Sequence, residues 1–120
     1  MADVTVGRSE LVVRFGGFER RWVGRRELRV PLAAVRGAAV ETAPLALAQG
    51  TRRGLDVTGV AKIGIWGLVR GPRRLVSARR GVPALHVFLD RGAADVDELL
   101  VSTVDAAALA VALVPGRAVA

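Results

Sequence analysis

The chain contains no cysteine and no tyrosine, and only one histidine, one lysine and one methionine in 120 residues. Without cysteine there are no disulfides, no thiol nucleophile and no thiolate-held metal, a composition suited to a reducing cytoplasm. The single His86 lies in Leu85-His86-Val87-Phe88, and a zinc site built on it would need three carboxylate or water ligands. None of Ser9, Ser77 or Ser102 sits in a Gly-x-Ser-x-Gly turn. His86 therefore reads as a partly buried structural residue and the chain as non-enzymatic, with no metal or cofactor called for. Long apolar runs are missing too: no window reaches the ~18 uninterrupted residues of a membrane helix. The longest run, around Trp66, is bounded by Lys62 and Arg70 and cut by Gly64 and Gly67. Residues 1–6 lack the basic stretch and apolar core of a signal peptide. The expected location is the cytoplasm, free or peripheral to a membrane.

Two further motifs dissolve on inspection. Gly64-x-x-Gly67 has no Gly-Lys-Ser/Thr after it, so the glycines read as bends in a strand rather than a phosphate loop. Asp95, Asp97 and Glu98 form an acidic cluster without a calcium-loop pattern, and read as a solvated edge.

What the chain does have is apolar mass and arginine. Apolar residues make up 52% of it, too many for a disordered segment, and the length fits a single domain over residues 1–120. Positive charge is seventeen Arg to one Lys, Lys62, a ratio that reads first as base-composition bias. It is unevenly spread. Residues 1–91 hold seventeen Lys and Arg against seven acids, a balance of +10, whereas residues 92–120 hold one Arg against four acids, a balance of −3. Such a field concentrates polyanions.

Apolar alternation marks strands at Glu10–Phe15 and Glu27–Val30, with Pro31 stopping the second. Val35–Glu41 and Lys62–Val69 are further strand candidates. Pro44–Gly50 reads as a loop or helical turn, and Phe18 and Trp22, four apart, allow one helical turn in Gly16–Gly24. Arg73–Ser77, Ala84–Leu89 and Asp97–Thr103, separated by turn residues, predict an antiparallel meander. A helix follows from Asp105 to Leu113, with Asp105 as cap and Pro115-Gly116 as stop. Strands first and a helix last predict a mainly β domain, an antiparallel barrel or bent sheet with a C-terminal helix.

The segment Arg26-Glu27-Leu28-Arg29-Val30-Pro31-Leu32-Ala33-Ala34-Val35 resembles the strand-turn-strand of bacterial pleckstrin-homology-like (PH-like) domains, where a strand ends in a Pro-Leu step. The glycine-rich Gly50–Gly71, the strands around Arg74 and Val87, and Leu99-Leu100-Val101-Ser102-Thr103-Val104-Asp105 follow in a similar order. The resemblance implies a seven-stranded two-sheet barrel capped at one corner by the C-terminal helix, a fold that hosts unrelated functions. It also places Arg14, Arg20, Arg21, Arg25 and Arg26 in the stretch where lipid-reading members carry basic residues.

Those five arginines are the candidate anion or lipid site. They are interleaved with Phe18 and Trp22, and guanidinium groups pair bidentately with phosphate while an indole rests at a bilayer interface. An anionic membrane surface is the anionic partner expected, with nucleic acid disfavoured. Arg52, Arg53, Arg73, Arg74, Arg79 and Arg80 extend the patch only if the fold gathers them. Trp22 and Trp66 are the candidate interface residues for a protein partner or a homo-oligomer, with the apolar strand near Trp66 as the assembly surface. Protein contact or self-assembly is the leading expectation, and anion binding the alternative.

Overall fold

Period-two alternation does in the fold what the sequence asks of it: Leu11, Val13, Leu28 and Val30 are buried while Arg14 and Arg29 face solvent. In a computed structural model describing residues 2–48, 52–67, 72–90 and 95–113, these residues belong to β2 (Glu10–Arg14) and β3 (Glu27–Pro31). With β1 (Asp3–Val6) they form an antiparallel three-stranded sheet, ordered β1-β2-β3. Six more strands form a second sheet: β4 (Val35–Glu41), β5 (Arg52–Val57), β6 (Ala61–Trp66), β7 (Arg74–Arg79), β8 (Ala84–Leu89) and β9 (Glu98–Ser102). Their order is β4-β8-β9-β7-β6-β5. The fold is mainly β with a helix at its C-terminal end. Among the described residues its strands fall into sheets of three and six, and neither sheet closes into a barrel.

The expected meander is not formed. β9 lies between β7 and β8, parallel to β7 (Leu75↔Leu99, Ser77↔Val101) and antiparallel to β8. The reason is burial on both faces. Every residue of β9 is buried, with Leu99 and Val101 in one cluster and Leu100 in another, and a strand apolar on both sides belongs in the middle of a sheet.

The main core is shared by both sheets and by α3 (Ala106–Leu113), which buries Ala106, Ala110 and Leu113. Asp105 stands immediately before α3, its carbonyl accepting the Leu109 N–H at 3.0 Å. Pro115 and Gly116, its expected stop, lie outside the described residues. A second, smaller cluster covers the opposite face of the large sheet: Trp66, Val76, Ala78, Ala84 and Leu100 pack beneath Leu45, Leu47 and Ala48. These last residues belong to α2 (Pro44–Leu47) and its exit. The only lysine holds that strap down. Lys62 Nζ donates to the carbonyls of Leu45 at 2.7 Å and Ala48 at 2.6 Å, where a helix end leaves its acceptors free.

α1 (Gly17–Val23) turns the helical hint of Phe18 and Trp22 into an element. Gly24 ends it in the left-handed region at φ 80°. Glu19 is buried on its inner side, accepting the Gly16 N–H at 3.3 Å and the Ser77 hydroxyl of β7. The first bond caps α1, and the second ties it to the large sheet.

Candidate anion-binding site

The five arginines singled out in the sequence do not act as one group. Arg14, at the end of β2, sits 3.6 Å from Glu27, and Glu27 also meets Arg29, which in turn reaches Glu10 at 2.6 Å. These pairs, two across β2–β3 and one within β3, neutralise the open face of the two strands. Arg20 turns back and donates from Nε to the Phe15 carbonyl at 3.0 Å. Arg21 and Arg26 are exposed. Arg25, half-buried, lines a cleft.

That cleft, of about 180 Å³, is lined by Arg25, Arg53, Ile65, Arg73, Asp95 and Val96. Its three arginines come from the link after α1, from β5, and from the residue before β7. Gly24 delivers Arg25 there, and Arg53 Nη2 lies 3.8 Å from where a Gly24 Cβ would stand. Strand parity delivers Arg53, which pairs in register with inward-facing Ile65. Asp95 is the only acid in the lining and is ion-paired with Arg25. The Arg25 guanidinium, with a smaller contribution from Arg73, holds the Asp95 carboxyl below its ordinary range. The guanidinium groups of Arg53 and Arg73 have no hydrogen-bond or ion-pair partner among the described residues. Three guanidinium groups meet one carboxylate of the lining, and the Asp97 carboxylate beside them accepts the Arg73 backbone N–H at 2.9 Å, so positive charge remains in excess.

Arg53 and Arg73 were in view in the sequence only as possible extensions of the patch. No spacing reveals them, because topology alone brings residues 25, 53 and 73 together. Adjacent arginines also part company. Arg52 lies on the other face of β5 from Arg53, and Arg74 leaves Arg73 to meet Glu98 Oε1 at 2.9 Å.

The candidate interface residues are placed differently from each other. Trp22 is half-buried against the main core, while Phe18, one turn earlier, is 62% exposed. Trp66 is 2% exposed, covered by the α2 strap of its own chain. β6 is an internal strand, and the sheet edge beyond it is β5.

His86 belongs to a buried polar row on the strap side of the large sheet. Its Nε2 lies 2.5 Å from Glu98 Oε1, and its Nδ1 lies 3.4 Å from Glu41 Oε1. An ionised Glu98 can only accept, so His86 carries a hydrogen on Nε2. Burial alone would raise the Glu98 pKa, but the hydrogen bonds and charges of Arg74 and His86 outweigh it and hold the carboxyl below its ordinary range. A carboxylate depressed in the folded state adds stability above its unfolded pKa of about 4.3, and that contribution disappears as pH falls through the folded value. Urea midpoints should therefore fall between pH 6 and pH 3, with a shallower acid slope in Glu98→Gln. Parallel slopes in the two proteins would remove Glu98 as a source.

No family model, curated protein or solved structure matches the chain. What it binds has to be argued from its own residues.

Proposed function

We propose that the chain is a non-enzymatic binding module, PH-like in character, that recognises phosphate groups on an anionic membrane surface. One observation carries this reading: Arg25, Arg53 and Arg73 line a single cleft in which Asp95 is the one acid among the described lining residues. Guanidinium groups suit phosphate oxygens because their N–H forks match them in pairs. Exposed Phe18, on the same short helix as Arg20 and Arg21, supplies an apolar contact of the kind that rests at a bilayer interface. Assembly through Trp66 loses ground to this reading, since α2 covers that indole.

The test is flotation with phosphatidylserine-containing and neutral vesicles across a salt series, with duplex DNA as competitor. Wild-type protein should float with anionic vesicles at low salt and be released as salt rises. Each cleft arginine contributes on the order of 1 kcal/mol near such a surface, so Arg53→Gln/Arg73→Gln should weaken capture by roughly tenfold or more. Arg14→Gln, already neutralised by Glu27, should change it little. Absence of capture at low salt, or capture indifferent to the double variant, would sink the proposal. Efficient displacement by DNA would reassign the cleft to nucleic acid.

A further inference from the structure

The sheet edges are unequally protected. β4, at one end of the large sheet, is bulged between Val35 and Gly37 and carries α3 against it, and a bulge is a common device for blunting an edge. In the small sheet, β3 ends on Pro31, which cannot donate to a ladder. Although α1 packs against it as α3 does against β4, β5 is neither bulged nor ended by a proline. Its six residues run in unbroken register with β6, and among the described residues no other strand pairs with its outer side. Antiparallel backbone groups alternate in direction, so half of its N–H and C=O groups point away from β6.

The strand reads Arg52-Arg53-Gly54-Leu55-Asp56-Val57, and it is complementary to itself. A twofold axis perpendicular to the sheet keeps each face on its own side, so only residues on the same face can meet. Arg52, Gly54 and Asp56 share the face of their register partners Trp66, Gly64 and Lys62. With the axis through Gly54, Arg52 of one copy stands opposite Asp56 of the other, and the same pair recurs across the axis. Sliding the register two residues one way sets Arg53 against Arg53. Sliding it two residues the other way loses both opposite-charge pairs. Charge thus selects one alignment, and the glycine at its centre puts no side chain on the axis.

We infer that a second copy of this chain pairs antiparallel along β5, joining two six-stranded sheets into one. The contact is short and so lies at the weak end of specific interfaces, giving a concentration-dependent dimer. Arg53 lines the cleft and lies in the paired strand, so the dimer holds two clefts flanking one axis and engages a charged surface twice.

Sedimentation of the full chain over a concentration series tests the pairing. The wild-type mass should rise from 12.6 kDa toward twice that value. Asp56→Arg and Arg52→Glu each turn two opposite-charge pairs into like-charge pairs, and each should weaken association by roughly tenfold or more. The Arg52→Glu/Asp56→Arg double variant recreates both pairs with reversed polarity and should restore the dimer, which separates loss of pairing from loss of folding. A protein that stays monomeric up to about 1 mM overturns the inference, as does an assembly that ignores the single reversals or a double variant that fails to recover. Vesicle capture by a strictly monomeric protein would overturn this inference while leaving the arginine cleft intact.

Discussion

Gly64→Ala lowers the melting temperature by more than about 10 °C, the size expected when a domain this small loses roughly 3 kcal/mol. A Cβ at Gly64 would stand 2.4 Å from the Arg53 carbonyl oxygen and 2.6 Å from the Gly54 Cα, both backbone atoms of the paired strand. Its φ of +146° adds conformational strain for any side chain. Neither partner can turn aside, because Gly54 is itself pressed against β6: a Cβ there would meet the Ile63 carbonyl oxygen at 2.3 Å. Gly17→Ala, in α1 with nothing within 4 Å of the added atom, should be neutral or slightly stabilising. Thermal unfolding of the two variants side by side decides the matter. A Gly64→Ala shift as small as that of Gly17→Ala would mean that β5 and β6 are free to separate.

Trp66→Ala should cost about 3–5 kcal/mol, the range for removing a large buried aromatic. The indole is the largest fully buried side chain, and it fills the space between the sheet and the α2 strap, where small residues (Ala48, Ala78, Ala84) cannot replace its volume. Phe18→Ala is the matched control: an aromatic of similar chemistry that is mostly exposed, with an expected change within about 0.5 kcal/mol. Urea unfolding of both variants makes the comparison. If Trp66→Ala unfolds near the wild-type midpoint, the strap is not anchored through the indole, and the bonds from Lys62 and Arg74 to its carbonyls hold it instead.

Strands whose alternation has one buried face were legible in the sequence, as β2 and β3 show. Two were not. β1 offers only Val4 and Val6 in four residues, and β5 interrupts its pattern with Gly54 and two adjacent arginines. Those same features make β5 useful, because the glycine permits close approach to β6 and the arginines divide between two faces. The position of β9 was also beyond reach, since a doubly buried strand shows a continuous apolar run that does not name its neighbours. Of the three arginines that line the candidate cleft, the sequence singles out Arg25 and leaves Arg53 and Arg73 as extensions of a patch. It could not separate arginines already satisfied by Glu27 or by the Phe15 carbonyl from those left without a partner. That distinction depends on contacts made across the fold, and a charge count along the chain contains none of them.

The central place of β9 also sets when this protein can become a protein. During synthesis β5, β6 and β7 can assemble from neighbours in the chain, and β8 can find β4. The two parts then face each other across a gap one strand wide. Each exposes an apolar edge that resembles an aggregation-prone intermediate more than a finished domain. Among the described strands, the one that fills the gap comes last in the chain. Joining the halves through residues 98–102 ties the large sheet to its most distant pairing, and the expected result is one cooperative transition rather than growth strand by strand.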